Sequence, residues 1–243
     1  GWLTMSNREF QEAANEIAVG LHENGLSSGA HVAFIMESSL YFALADFGTQ
    51  GAGIVNVPLY TTYAPENLVY VAKHGEAKAM FVSNEEMLAS FATWAGDLPD
   101  VTLVILAEGH GDGVSLPEGV TLKTLDALRL DGRSAIAEAP NRPDELRDMI
   151  EPGDLATLIY TSGKPKGVML SHQNISSNSI ASFTGISILG HQEEQVVTFL
   201  PLTHIFARML QFASVAWGQS GFFSNPEMIV AHLAEVRPTM FAS

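Results

Sequence analysis

The 243-residue chain contains no cysteine. That excludes a disulfide framework, a thiolate metal site and a cysteine nucleophile, so any thioester made here takes its thiol from a second molecule. Basic residues are also scarce, 12 against 27 acidic, for a formal net charge of −15. A nucleic-acid surface needs clustered Lys and Arg against the phosphate backbone, and this balance argues against one. Most of that acidity reads as a solvated surface. No apolar run approaches the roughly 18 residues of a membrane span, and GWLTMSNREF lacks the basic and apolar regions of a signal peptide. The pattern predicts a cytoplasmic protein. Gly1-Trp2 at one end and the strand-like PTMFAS at the other read as ends cut from something longer. Missing, too, is G-x-x-x-x-G-K-[ST] for a P-loop. Gly51-Ala52-Gly53 lacks the third glycine of a dinucleotide fingerprint and follows a helix instead of opening one.

With 47% hydrophobic residues, the chain can bury one large core or two smaller ones. Ser6 and Glu9 have capping-box spacing, and Phe10, Ala13, Ala14, Ile17, Ala18 and Leu21 follow at helical intervals up to Asn24-Gly25. Strands are expected at 31–36, 54–59, 77–82, 101–106, 155–162, 167–171, 196–201 and 220–224. Helices are expected at 39–52, from Pro65, at 173–186, 205–218 and 226–236. Residues 107–153 read as surface connections around one short helix. The alternation predicts an α/β fold, with mostly parallel sheets flanked by helices.

The stretch YTSGKPKGVMLSH, residues 160–172, carries the chemistry. A polyphosphate loop needs residues that admit close backbone approach, N–H and O–H donors, and a lysine. Thr161, Ser162, Gly163, Lys164, Lys166 and Gly167 supply these. A lysine about 4 Å from a phosphate charge contributes on the order of 4 kcal/mol at an effective dielectric near 20. A polar hairpin turn with solvated lysines would have the same composition, and the residues alone leave both readings open.

This segment resembles the signature loop of the adenylate-forming enzymes. The segment GAGIVNVPLYTTYAPENLVYVAKHGEAKAMFV (51–82) and FLPLTHIFARM (199–209) also resemble family segments in order and spacing. The last is most similar to the long-chain fatty acyl-CoA synthetase branch. The resemblance implies the N-terminal part of the family's large domain, incomplete over residues 1–243. It implies a fatty acid or related carboxylate, ATP with Mg2+, and coenzyme A, joined in two steps: an acyl adenylate forms with loss of pyrophosphate, then coenzyme A displaces AMP. Carried over, Thr161, Ser162, Gly163, Lys164, Lys166 and Gly167 hold phosphate, and His204 lies beside the acyl carboxylate and α-phosphate. On the residues alone, the favoured reading of His204 is a helix N-terminal histidine that packs. Arg208, four residues on, either orients His204, pairs with a carboxylate elsewhere, or is structural. Phe206, Met209, Phe212, Ala213 and Trp217 line an acyl tunnel or form plain core. Fatty substrates keep peripheral membrane contact open.

The resemblance breaks between Gly163 and Lys164, where the family pattern has three more residues. Either the loop is truly shorter, which removes donors and cripples adenylation, or it carries three further residues between Gly163 and Lys164. The family's adenine-binding glutamate segment and C-terminal catalytic lysine have no counterpart in residues 1–243. The 243-residue polypeptide is therefore expected to show no ATP–pyrophosphate exchange. Two other functions stay open: a synthetase for other carboxylic acids, and a non-catalytic binding module that retains the fold.

Overall fold

A computed structural model describes residues 2–161, 166–185 and 194–242. The first helix, α1 (Asn7–Glu23), starts where the capping box requires: the Ser6 side chain accepts from the Glu9 N–H, and the Glu9 side chain accepts from the Ser6 N–H. Strand β1 (His31–Ile35), helix α2 (Leu40–Gly51), strand β2 (Val55–Pro58), helix α3 (Pro65–His74) and strand β3 (Ala77–Val82) follow as expected. Asn84 caps α4 (Glu85–Ala92), which leads to β4 (Leu103–Leu106).

Residues 107–153 depart from expectation. They contain an edge strand, β5 (Thr121–Thr124), and two helices, α5 (Leu125–Glu138) and α6 (Arg142–Asp148). Helix α5 packs on α1. Its contact face is built on Leu125, Leu128 and Gly132, and a glycine leaves no mark in a hydrophobic period.

Seven strands form one sheet in the order β5-β4-β3-β1-β2-β6-β7, where β6 is Leu155–Tyr160 and β7 is Gly167–Ser171. Neighbours run parallel except β6 and β7, which form a hairpin. Alternate residues of β1 face opposite layers. Val32 and Phe34 join α1 and α2 in one core, whereas Ala33 and Ile35 join α3 and α4 in the other. A sheet buried on both faces explains why its central strands read as unbroken apolar runs.

Helix α7 (His172–Thr184) follows the hairpin, opened by a second capping box between Ser171 and Asn174. The remaining elements are β8 (Gln195–Thr198), α8 (Ile205–Ala216), β9 (Ser220–Phe223), α9 (Ile229–Val236) and β10 (Met240–Phe241). The last three strands form a parallel sheet in the order β10-β8-β9. Helix α9 begins three residues later than expected. Among the described residues, no helix is long and apolar enough to cross a membrane.

Candidate functional site

Strand β6 ends at Tyr160, which is buried, with its hydroxyl hydrogen bonded to Nδ1 of His74 at 2.6 Å. His74 closes α3, so the strand is fastened to a helix just before the loop begins. Burial pushes the Tyr160 phenol up to about 12. Because the folded state holds this proton above the ordinary value of 10, stability is fully present below pH 10 and falls as pH rises through 12. Tyr160→Phe is expected to lose about 1 kcal/mol near neutrality and to flatten this alkaline decline, as read from urea unfolding across pH 8 to 11.

Beyond Tyr160, the Thr161 N–H donates to the Lys166 carbonyl at 3.2 Å, closing the hairpin. Both residues are exposed. Ser162, Gly163 and Lys164 lie outside the described residues. Gly167 opens β7 opposite Tyr160, and a Cβ there would come within 2.8 Å of Leu158 Cδ1. Packing between the two strands is thus one reason for glycine at this position.

His204 caps α8, and its Nδ1 accepts from the Phe206 N–H at 3.3 Å. Nε2 is then the protonated nitrogen of the neutral ring. The residue is exposed, so it is not the packed histidine that composition alone allowed. Just before it, the Leu202 N–H donates to Ser38 Oγ at 2.7 Å, and Leu202 and Thr203 are buried. Ser38 follows the C-terminal end of β1, and Thr161 follows the C-terminal end of β6. Only β2 separates the two parallel strands, so their ends lie roughly 10 Å apart along one sheet edge. Crevices at such edges are where open α/β sheets bind ligands.

The Arg208 side chain does not touch His204. It is fully buried and makes a bidentate ion pair with Asp46 of α2 at 2.6 and 3.0 Å, while a third donor reaches Thr157 Oγ1 of β6 at 2.7 Å. Asp46 also accepts from Gln50 at 2.8 Å and Asn56 at 2.9 Å. Thr157 donates in turn to the Asn56 carbonyl at 2.8 Å. Of this cluster, the sequence reading singled out Arg208 alone. A usable signal lay in single polar residues inside apolar runs, such as Asp46 in YFALADF and Asn56 in IVNVP, because buried polar groups need partners.

The apolar positions of α8 divide among different surroundings. Phe206 and Met209 line a groove of about 870 Å³ with Leu170, Ile175, Ala181 and Ile205, between the hairpin, α7 and α8. Phe212 faces a separate cleft with Phe47 and Gln50, Ala213 is fully buried, and the Trp217 ring packs on Phe183. Among the described residues, no group of three or more His, Cys, Asp or Glu side chains could hold a metal ion.

The fold is thus a mostly parallel α/β sheet with helices on both faces and the β6–β7 hairpin at its edge. The chain belongs to the AMP-binding enzyme family, which it matches over residues 1–243. It is 30% identical over 251 residues to long chain acyl-CoA synthetase 6, peroxisomal, from Arabidopsis thaliana, covering 100% of this chain and 34% of that protein. It is 32% identical over 254 residues to the long-chain-fatty-acid–CoA ligase ACSBG2 of Xenopus laevis, covering 99% of this chain and 33% of that one. The chain therefore spans about a third of the length of these curated relatives. Its fold is similar to that of the long-chain-fatty-acid-CoA ligase FadD1 of Archaeoglobus fulgidus, with a TM-score of 0.78 at 21% identity, over 96% of this chain and 43% of that one.

Proposed function

We propose that residues 1–243 form the N-terminal portion of the adenylating unit of a long-chain fatty acid–CoA ligase. In this reading the whole protein joins a fatty acid to ATP as an acyl adenylate, and then passes the acyl group to the thiol of coenzyme A. The observation that carries it is the placement of Thr161, Lys166 and the segment bearing His204 at one sheet edge, in a chain about 30% identical to named long-chain acyl-CoA ligases.

Thr161 and Lys166, with Ser162, Gly163, Lys164 and Gly167, hold the phosphates of ATP. The lysine charge offsets the negative charge that develops as pyrophosphate leaves. His204 donates from Nε2 to the oxygen shared by carboxylate and α-phosphate. Phe206 and Met209 present apolar surface to the acyl chain. Mg2+ would accompany ATP as a charge-neutralising ion; the described residues offer no ligand set of three or more His, Asp or Glu side chains for it. The long-chain relatives and the apolar groove favour a fatty substrate over a smaller carboxylate.

The test is ATP–pyrophosphate exchange by the complete protein with a long-chain fatty acid. Lys166→Ala is expected to weaken ATP binding about ten- to hundred-fold, or roughly 1.4–2.8 kcal/mol, as measured by calorimetry. Exchange that requires a short or aromatic acid would replace the substrate assignment. A complete protein that binds ATP but never exchanges pyrophosphate would favour a binding module.

A further inference from the structure

We propose that Arg208 is a positioning residue that sets His204 against the phosphate loop. The proposal rests on the adenylation reading. His204 is the first residue of the turn that starts α8, and its carbonyl accepts from the Arg208 N–H at 3.2 Å. Whatever fixes the Arg208 backbone therefore fixes the residue that carries the imidazole. The Arg208 guanidinium is held at three points, two on Asp46 and one on Thr157, and its face lies over the Phe212 ring, 5.5 Å from the centroid. A planar fork bound bidentately has one orientation.

The anchor also holds His204 from both directions along the chain. On the N-terminal side, Leu202 is tied to Ser38, which stands next to the α2 cap Ser39. On the C-terminal side, Arg208 is tied to Asp46, two turns into α2. The segment from Ser38 through the first turns of α2 thus mounts both flanks of the histidine. The third leg runs to the loop itself. Thr157 lies four residues before Thr161 on β6, about 13 Å along the strand. Strand β6 is thereby bonded directly to the helix that bears His204, and a shift of either would move the imidazole relative to the phosphate site. Positioning of this kind is worth most where misplacement by about 1 Å costs catalysis.

A merely structural ion pair would predict something different. Replacing a buried pair by apolar residues of similar volume commonly preserves stability, so the double variant Asp46→Leu/Arg208→Met separates packing from positioning. In the complete protein this variant is expected to stay folded and to lose less stability than Asp46→Ala, because no charge is left buried and unpaired. Its exchange kcat should fall at least ten-fold, with the KM for ATP changed less than three-fold. Thr157→Val keeps the ion pair and the side-chain shape; it is expected to lose about three- to ten-fold in kcat, and it decides the matter should the double variant fail to fold. Histidine-selective 15N spectra supply a readout independent of turnover. His204 is expected to show the Nε2-protonated tautomer in the wild type, and mixed tautomers in the variants as the Nδ1 bond to Phe206 loosens. The proposal is overturned if a folded variant keeps the wild-type kcat or the wild-type His204 spectrum. If the wild type itself shows no exchange, the adenylation reading fails, and the His204 spectrum alone decides whether Arg208 positions it.

Discussion

Asp46→Ala is expected to lower the unfolding free energy by about 3–5 kcal/mol, a large share of the roughly 5–15 kcal/mol available to a domain. Arg208 has no exposed surface, and the substitution would leave its guanidinium charged, desolvated and held only by Thr157 and the Phe212 ring. Asn56 and Gln50 would lose an acceptor as well, each in a buried setting. The contrast is Glu12→Ala, which breaks the exposed helical pair with Arg8 and should leave stability nearly unchanged. Urea unfolding at pH 7 measures both. A loss below about 1 kcal/mol for Asp46→Ala would mean that the guanidinium finds water or a new partner, and that the cluster is no anchor.

The second large effect belongs to Gly132. Helix α5 crosses α1 at a point where Gly132 and Gly20 meet, and a Cβ on Gly132 would fall onto the Glu16 carbonyl and within 2.8 Å of the Gly20 nitrogen. Backbone cannot rotate aside as a side chain can, so the helices would have to separate. Gly132→Val is expected to cost more than about 3 kcal/mol, at or beyond the upper end for overpacking. Separation would also strain the ion pairs that Arg129 and Arg133 of α5 make with the nearly buried Glu16, at 2.8 and 2.7 Å. The natural control is Gly96→Ala, where the added Cβ meets nothing within 4 Å and stability should hold within about 0.5 kcal/mol. If the two variants unfold alike, the helix crossing does not limit stability.

These two sites also mark where sequence reading succeeds and where it stops. Strands such as Ala77–Val82 and Leu155–Tyr160 were legible because burial on a sheet face writes itself as apolar composition. The start of α1 was legible because a capping box is a local bond between residues three apart. Helix α5 was not, since its defining contact is made by a glycine and by charged side chains reaching across to Glu16. The Arg208 cluster was only half legible. Its polar members stand out against apolar neighbours, but the bond from Arg208 to Asp46 spans 162 positions, and no local pattern encodes it. At the site, Thr161, Lys166, Gly167 and His204 were nameable from the motif, and the sheet edge they share became visible only once the strand order was known.

The hairpin form of the β6–β7 pair has a consequence for how the phosphate loop can vary. In a parallel sheet most loops lead from a strand into a helix, whereas this one joins two strands that are hydrogen bonded to each other. Here Thr161 and Lys166 are clasped to each other, and the rest of the ladder continues beneath them through Tyr160 and Gly167. Extending the connection from four residues to seven adds only about 0.5 kcal/mol of closure entropy and leaves both gateposts in place. A longer or a shorter loop can therefore be carried on the same frame, with length free to change as the scaffold stays still.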